Sequence, residues 1–167
     1  MTSLTRNILI VAAITIAVLA TILLMPASRQ AMPVISFTDI DGEQHQLTDY
    51  QGQPILMIFW ATDCPGCIKE LPDLIALHDA YADKGLKMIS VAMPHDTPDH
   101  IMAMRAEKKI PYPIVWDQDS EIGDAFGNVR VTPTHFLISP QGEIVMRKIG
   151  VLKPELVKQT LATMGLM

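Results

Sequence analysis

The two cysteines of this chain, Cys64 and Cys67, are separated by two residues and stand between two recognisable patterns. Residues 55–60 are an apolar run typical of a buried strand, and residues 68–81 predict a helix. A cysteine at a helix start lies beside unpaired backbone N–H groups and the positive end of the helix dipole, which stabilise a thiolate. A thiolate attacks disulfides, and a second thiol within reach resolves the mixed disulfide. The spacing therefore predicts dithiol–disulfide exchange.

Length and composition narrow the class of protein further. The chain has 167 residues, which suits one domain with a substantial core. Its formal net charge is −5 and no basic stripe is present, so nucleic acid is not expected as a partner. Two cysteines cannot build a disulfide scaffold. We predict no cofactor and no metal centre.

An uncharged, apolar segment precedes the domain. Residues 8–25 predict one transmembrane helix, for which about 20 apolar residues are expected. A cleaved signal peptide has a shorter apolar region and a small-residue cleavage site, and residues 25–28 offer no clean one. We therefore expect a cytoplasmic tail (1–7), an anchor (8–25), a linker (26–32) and a domain (33–167). This arrangement predicts a single-pass protein of the bacterial inner membrane with its domain facing the periplasm.

Strand and helix patterns alternate along the rest of the chain. An N-terminal hairpin is predicted around Asp41-Gly42, which is a strong turn signal. The order of the segments predicts an α/β domain with a mixed central sheet and helices on both faces. Besides those already named, the predicted strands cover residues 86–92, 114–116, 134–138 and 143–148, and the predicted helices cover residues 97–109, 120–126 and 154–164.

Three features together resemble a known superfamily. Trp60 four residues before Cys64, the cysteine pair itself, and the later Thr132-Pro133 are similar to the active-site elements of thioredoxins. The run Cys67–Pro72, with Glu70 in it, resembles the TlpA/ResA group within the redoxin (AhpC/TSA-like) branch, which are membrane-anchored thiol–disulfide oxidoreductases. The N-terminal hairpin and the helical insert near residues 97–109 resemble that group as well. The resemblance implies a thioredoxin-like fold.

The resemblance also implies a set of site residues. Cys64 and Cys67 carry the exchange, and a cis peptide before Pro133 places that residue beside them. The backbone of Thr132 is then open to an extended substrate chain, and Trp60 and Pro65 border it. Two plainer readings stay open, in which Pro133 merely begins a strand and Trp60 is a core aromatic.

The chain departs from thioredoxins proper at two positions. Asp63 precedes the first cysteine, and its carboxylate should oppose a thiolate at Cys64, which favours a reductant or an enzyme of intermediate potential over a strong oxidant. Ile58 occupies the place of the buried aspartate of thioredoxins. Glu70, one helical turn after Cys67, is the candidate proton acceptor that replaces it. The alternative is a solvated glutamate paired with a lysine.

The resemblance implies partners for a reductant outside the cytoplasm. Electrons would come from a membrane thiol transporter and pass to disulfide-bearing extracytoplasmic proteins, with apocytochrome c as one acceptor. The chain is not itself a c-type cytochrome, because Ile68 stands where haem attachment needs histidine. We expect a monomer.

Two other functions compete with this one. A metal-handling module could use both cysteines with His135 as a third ligand, or a second cluster around residues 95–100. A thiol peroxidase of the wider redoxin group needs a threonine and a proline ahead of its cysteine. Here Thr62 is two residues before Cys64, and no proline occurs between Pro54 and Cys64.

Overall fold

The computed structural model describes the backbone of residues 3–24 and 30–166, and the side chains of residues 10–21 and 30–166. Its first element is helix α1 (Ser3–Leu24). Among the described residues, no helix combines the length and the apolar character that crossing a membrane requires. The predicted anchor extends past the described side chains, and most of the predicted linker lies outside the described residues. The division of the N-terminal part of the chain therefore stays a prediction.

The remaining elements follow the order that the sequence patterns predict. For most elements, the observed boundaries differ from the predicted ones by a few residues. The elements are β1 (Ser36–Thr38), β2 (Gln44–Gln46), β3 (Ile55–Trp60), α2 (Pro65–Tyr81), β4 (Lys87–Ala92), α3 (Pro98–Lys108), β5 (Ile114–Trp116), α4 (Glu121–Ala125), β6 (Thr134–Ile138), β7 (Ile144–Ile149) and α5 (Pro154–Thr163).

Five strands form one mixed sheet in the order β5-β4-β3-β6-β7. Strand β3 is central and runs parallel to β4 but antiparallel to β6. Strands β1 and β2 pair with each other as a separate hairpin. The hairpin is attached to the edge of the sheet, where Asp39 forms a bridge with Val115. The mixed α/β sheet and the N-terminal hairpin are confirmed.

The sheet has a hydrophobic core on each face, and β3 contributes to both. Its residues alternate between the two faces, and all six are buried. Leu56, Ile58 and Trp60 pack in the core that also contains residues of α2, α3 and α5. Ile55, Met57 and Phe59 pack in the second core, with α4 and the hairpin. This double burial explains why β3 is a continuous apolar run and not an alternating one.

One helix start and one helix cap differ from their prediction. Helix α2 begins at Pro65, three residues earlier than predicted, because proline is compatible with the first turn of a helix and Cys64 acts as the N-cap. Helix α4 follows Ser120 as predicted, but the serine side chain makes no capping hydrogen bond. The carboxylate of Asp117 accepts the N–H groups of Ile122 and Gly123 instead, at 3.0 and 2.8 Å.

Candidate active site

The cysteine pair lies where the central strand β3 passes into helix α2. Cys64 has an extended backbone, and its Sγ accepts the N–H of Cys67 at 3.2 Å, as an N-cap side chain does. The two sulfurs are joined in a disulfide. Cys64 is partly exposed, whereas Cys67 is only 2% exposed. A partner can therefore reach Cys64 but not Cys67, which is the asymmetry that an attacking and a resolving cysteine need.

A second segment, before β6, lies against the start of α2. The Thr132–Pro133 peptide is cis, as the resemblance implied. A Cβ on Gly66 would stand 3.4 Å from Cδ of Pro133, which places the proline ring directly beside the cysteine turn. Pro133 is buried and Thr132 is half-buried. The carbonyl of Pro133 accepts the N–H of Gly150 at 2.8 Å, so the segment is held from its other side as well.

Glu70 is fully enclosed beneath the cysteine pair and is only 1% exposed. Its Oε1 lies 2.8 Å from Nε2 of His135, and its Oε2 accepts the N–H of Leu152 at 2.8 Å. The alternative of a solvated glutamate paired with a lysine is therefore wrong. Buried carboxylates are tolerated where hydrogen bonds replace those lost to water, and Glu70 has two such bonds.

A small enclosed cavity connects Glu70 with the buried cysteine. Cys67 and Glu70 both line it, together with the side chains of Trp60, Ser90 and Tyr112. Burial raises the pKa of the Tyr112 hydroxyl above its usual range, and the negative charge of Glu70 raises it further. The phenol therefore stays protonated at physiological pH. Glu70 and Cys67 thus border the same enclosed space.

The loop between β3 and α2 is held by an aspartate whose role the sequence patterns did not indicate. Asp96, 5% exposed, accepts the backbone N–H of Thr62 at 2.9 Å and also its hydroxyl. Thr62 is thus engaged by Asp96 and does not offer a free hydroxyl to Cys64, as a peroxidase threonine would. Asp63, next in the chain, points to solvent and lies 3.3 Å from Nε2 of His95.

The structure does not assemble the metal ligands that the metal-handling hypothesis proposed. His135 is 0% exposed, and its Nε2 is occupied by Glu70. Within the described part of the chain, one group of three or more ligand-type side chains lies close enough to share an ion, and it is Asp39, Glu43 and His45 in the hairpin. Neither the cysteine pair with His135 nor the cluster around residues 95–100 forms such a group.

The hairpin group is a hydrogen-bond network that holds the turn. One oxygen of Asp39 accepts the N–H groups of Asp41 and Glu43, both at 2.9 Å. The other oxygen lies 3.0 Å from Nε2 of His45, whose Nδ1 is 2.8 Å from the hydroxyl of Tyr50. Desolvation alone would raise the pKa of Asp39, but the hydrogen bonds from His45, Glu43 and Asp41 outweigh it and lower the pKa.

The fold and the site together define a class of protein. A mixed five-stranded sheet of thioredoxin type, with a Cys-x-x-Cys pair at the start of the helix after its central strand, is the architecture of thiol–disulfide oxidoreductases. A model of the AhpC/TSA family matches residues 29–147, and the chain belongs to this family.

Relatives of known activity agree with this assignment. The thiol-disulfide oxidoreductase ResA of Geobacillus thermodenitrificans is 32% identical over 130 residues, covering 77% of this chain and 73% of the relative. The sporulation thiol-disulfide oxidoreductase A of Bacillus subtilis is 30% identical over 134 residues, covering 78% and 80% respectively. The similarity to the ResA group is confirmed, and the chain is a thiol–disulfide oxidoreductase whose redox pair is Cys64–Cys67.

Solved structures show the same fold. A putative thioredoxin from Neisseria meningitidis superposes with a TM-score of 0.75 at 31% identity, over 83% of this chain and 91% of the other. StoA from Bacillus subtilis superposes with a TM-score of 0.66 at 29% identity, over 80% of this chain and 98% of the other.

Proposed function

We propose that this oxidoreductase acts as a reductant of protein disulfides outside the cytoplasm. The observation that carries the exchange chemistry is the asymmetry of the redox pair, because Cys64 is partly exposed at a helix start and Cys67 is buried. The direction, reduction of the partner, is supported by the resemblance to the TlpA/ResA group and the electron donor that it implies. Cys64 attacks the substrate disulfide and forms a mixed disulfide. Cys67 then attacks Cys64, so that the substrate leaves as a dithiol and the enzyme is left oxidised.

Glu70 accepts the proton of Cys67 in the second step. A buried thiol becomes a thiolate only if its proton has an acceptor nearby, and Glu70 shares a cavity with Cys67. The carboxylate is 1% exposed and held by two hydrogen bonds, so its position does not depend on solvent. These contacts support the role of Glu70 as the general base.

Three further residues border the substrate, and a fourth packs beneath them. Thr132 and Pro133 form the segment that faces the start of α2, and the half-buried Thr132 offers its backbone to an extended chain. Pro65, exposed at the first turn of α2, completes this rim, whereas Trp60, at the end of β3, is 3% exposed and supports it from the core. The proximity of Gly66 to Pro133 supports the assignment, because it joins the segment to the cysteine turn.

The sequence patterns and the similarity to ResA support the setting that we propose for the reaction. Residues 1–7 form a cytoplasmic tail, residues 8–25 anchor the protein in the inner membrane, residues 26–32 are a linker, and the domain faces the periplasm as a monomer. A membrane thiol transporter supplies the electrons. The acceptors are disulfide-bearing extracytoplasmic proteins, among them apocytochrome c.

Reduction of a protein disulfide by the reduced enzyme tests the exchange step by step. The Cys64→Ser variant should have no activity, because the accessible nucleophile is gone. The Cys67→Ala variant should form a mixed disulfide with substrate and retain it, since no thiol remains to resolve it. Activity that persists in Cys64→Ser, or a Cys67→Ala variant that turns over normally, would contradict the mechanism.

The direction of electron flow is tested by the reduction potential of the 64–67 pair. A reductant should have a potential near that of thioredoxin, about −270 mV, and an oxidant one near about −120 mV. Equilibration with glutathione or dithiothreitol, followed by alkylation and mass determination, measures the fraction reduced. A potential near the oxidant end would overturn the proposal of a reductant while leaving the exchange chemistry intact.

A further inference from the structure

The pair formed by Glu70 and His135 is sealed inside the protein. Glu70 is 1% exposed and His135 is 0% exposed, and Nε2 of the imidazole lies 2.8 Å from Oε1 of the carboxylate. The two residues are 65 positions apart, one on helix α2 and the other on strand β6. The other carboxylate oxygen is held by the N–H of Leu152. An apolar side chain could fill this enclosed position equally well, so packing alone does not explain why a histidine is present.

The hydrogen bonds of His135 indicate its protonation state. Its Nδ1 is buried and has no hydrogen-bond partner in the described part of the chain. An imidazolium would carry an N–H on that nitrogen with no acceptor, which is costly in a buried site. A neutral imidazole with its proton on Nε2 leaves only a lone pair unused and donates to Glu70. The geometry therefore favours neutral His135 as a donor to an ionised Glu70.

We propose that His135 is a positioning residue for thiol exchange, because its Nε2–H keeps Glu70 ionised and oriented as the proton acceptor of Cys67. This inference rests on the proposed role of Glu70. A buried carboxylate without sufficient donors becomes protonated, and a protonated Glu70 cannot accept a second proton. His135 thus controls whether the base is available at physiological pH.

Protons and electrons balance in the resolving step. The S–H bond of Cys67 breaks and its proton passes to Glu70, while the sulfur of Cys67 forms a bond to the sulfur of Cys64. The bond between Cys64 and the substrate breaks, and the substrate leaves as a thiolate that takes a proton from solvent. Two electrons have then passed to the substrate. When a donor reduces the disulfide again, Glu70 returns its proton to Cys67.

Among the residues that the structure describes, Cys67, Tyr112 and Lys148 are ionisable groups placed near the pair. Cys67 is on the same helix as Glu70, and Tyr112, before β5, is close enough for the charge of Glu70 to act on it. Lys148 on β7 is opposite His135 in the register of the sheet and is partly exposed. Tyr112 stays protonated, as argued above. Of these groups, Cys67 is the one that changes its protonation in the reaction.

Two substitutions of His135 test the proposal with a matched control. His135→Leu removes the donor, whereas His135→Gln keeps an N–H that can reach the carboxylate. The probe is 5,5′-dithiobis(2-nitrobenzoate), which first forms a mixed disulfide with Cys64 and releases one thionitrobenzoate. Attack by Cys67 then releases the second. Absorbance follows both phases, so the resolving step is separated from the first attack.

The expected result is a change in the second phase alone. In His135→Leu, the midpoint of its pH dependence should rise by about one unit, and the phase should be about tenfold slower below that midpoint. The first phase should stay within about twofold, because Glu70 takes no part in it. His135→Gln should restore the second phase to within about threefold of wild type.

Other outcomes separate this inference from the proposed function. If Glu70→Gln slows the second phase and His135→Leu does not, the role of His135 is wrong and the role of Glu70 stands. If Glu70→Gln has no effect, both are wrong. Equal slowing of both phases in His135→Leu would indicate a merely structural role and overturn the inference.

A measurement on the wild-type protein does not depend on the folding of any variant. The ring nitrogen shifts of His135, measured by nuclear magnetic resonance at neutral pH, should report a neutral imidazole with its proton on Nε2. An imidazolium, or a proton on Nδ1, would overturn the inference.

Discussion

Gly66 lies against Pro133 so closely that a Cβ on the glycine would stand 3.4 Å from Cδ of the proline. The same Cβ would be 3.4 Å from Cγ2 of Val151, which follows β7. A Cβ would already be in van der Waals contact with both side chains, so the second residue of α2 must be small for the proline segment to lie beside the cysteines. The restriction is one of space, since the backbone conformation of Gly66 is one that other residues also adopt.

Substitutions that enlarge Gly66 should therefore affect activity more than they affect stability. Gly66→Ala should change the free energy of unfolding by no more than about 1 kcal/mol, because the gain in helix propensity offsets the tight contact. Gly66→Leu should reduce protein-disulfide reduction by about tenfold or more, since the overpacked side chain displaces the proline segment. Urea unfolding and insulin reduction measure the two effects. Full activity of Gly66→Leu would show that this contact does not shape the site.

The Asp39 network predicts an acid-dependent loss of stability. The pKa of Asp39 is lower in the folded protein than in the unfolded chain, so its contribution is present above the unfolded value of about 3.9 and disappears as pH falls through the folded value. Asp39→Asn should be less stable than wild type at pH 7 by about 1–2 kcal/mol.

Urea unfolding of both proteins at pH 7 and in mild acid checks this prediction. The difference between wild type and Asp39→Asn should shrink as pH falls below about 4, because protonation abolishes the carboxylate in the wild type as well. A difference that is constant over pH would show that the charge of Asp39 does not matter.

Asp117 should contribute more to stability than Ser120, although Ser120 occupies the N-cap position of α4. Asp117→Ala removes the acceptor of two N–H groups in a residue only 4% exposed, and should cost about 2 kcal/mol or more. Ser120 has a φ of 62° and no capping hydrogen bond. Ser120→Gly, the matched control, should leave stability unchanged or raise it by about 0.5–1 kcal/mol. Thermal unfolding measures both, and equal losses would contradict this account.

Asp63 should affect Cys64 less than its position in the sequence indicates. Its side chain is 76% exposed and lies beside His95, which is 56% exposed. A charge so open to water is strongly screened. Asp63→Asn should therefore change the rate of Cys64 alkylation by iodoacetamide by less than about threefold at physiological salt. A tenfold increase would restore the opposing role that the sequence predicted for this carboxylate.

Local patterns were sufficient for most of the fold. The apolar run of β3 predicts a strand buried on both faces, and both cores confirm it. The Asp41-Gly42 turn predicts the hairpin, and the hairpin is present. The start of α2 was placed three residues late, because the prediction began the helix after the cysteine pair and did not use Pro65 as its first residue. The sequence patterns placed Asp96 only in the candidate metal cluster around residues 95–100, and its role in holding the loop was missed, since its partner Thr62 is 34 residues away.

By itself, the sequence determined the spacing of the cysteines, the strand before them and the helix after them, because these depend on neighbours within a few residues. Only the tertiary structure decided what surrounds the buried sulfur. Glu70 meets His135 because β6 pairs with β3 in a register that sets His135 opposite Ile58, while α2 packs across the same face. Register and helix packing are properties of the assembled sheet, and no local pattern of residues encodes which side chains they bring together.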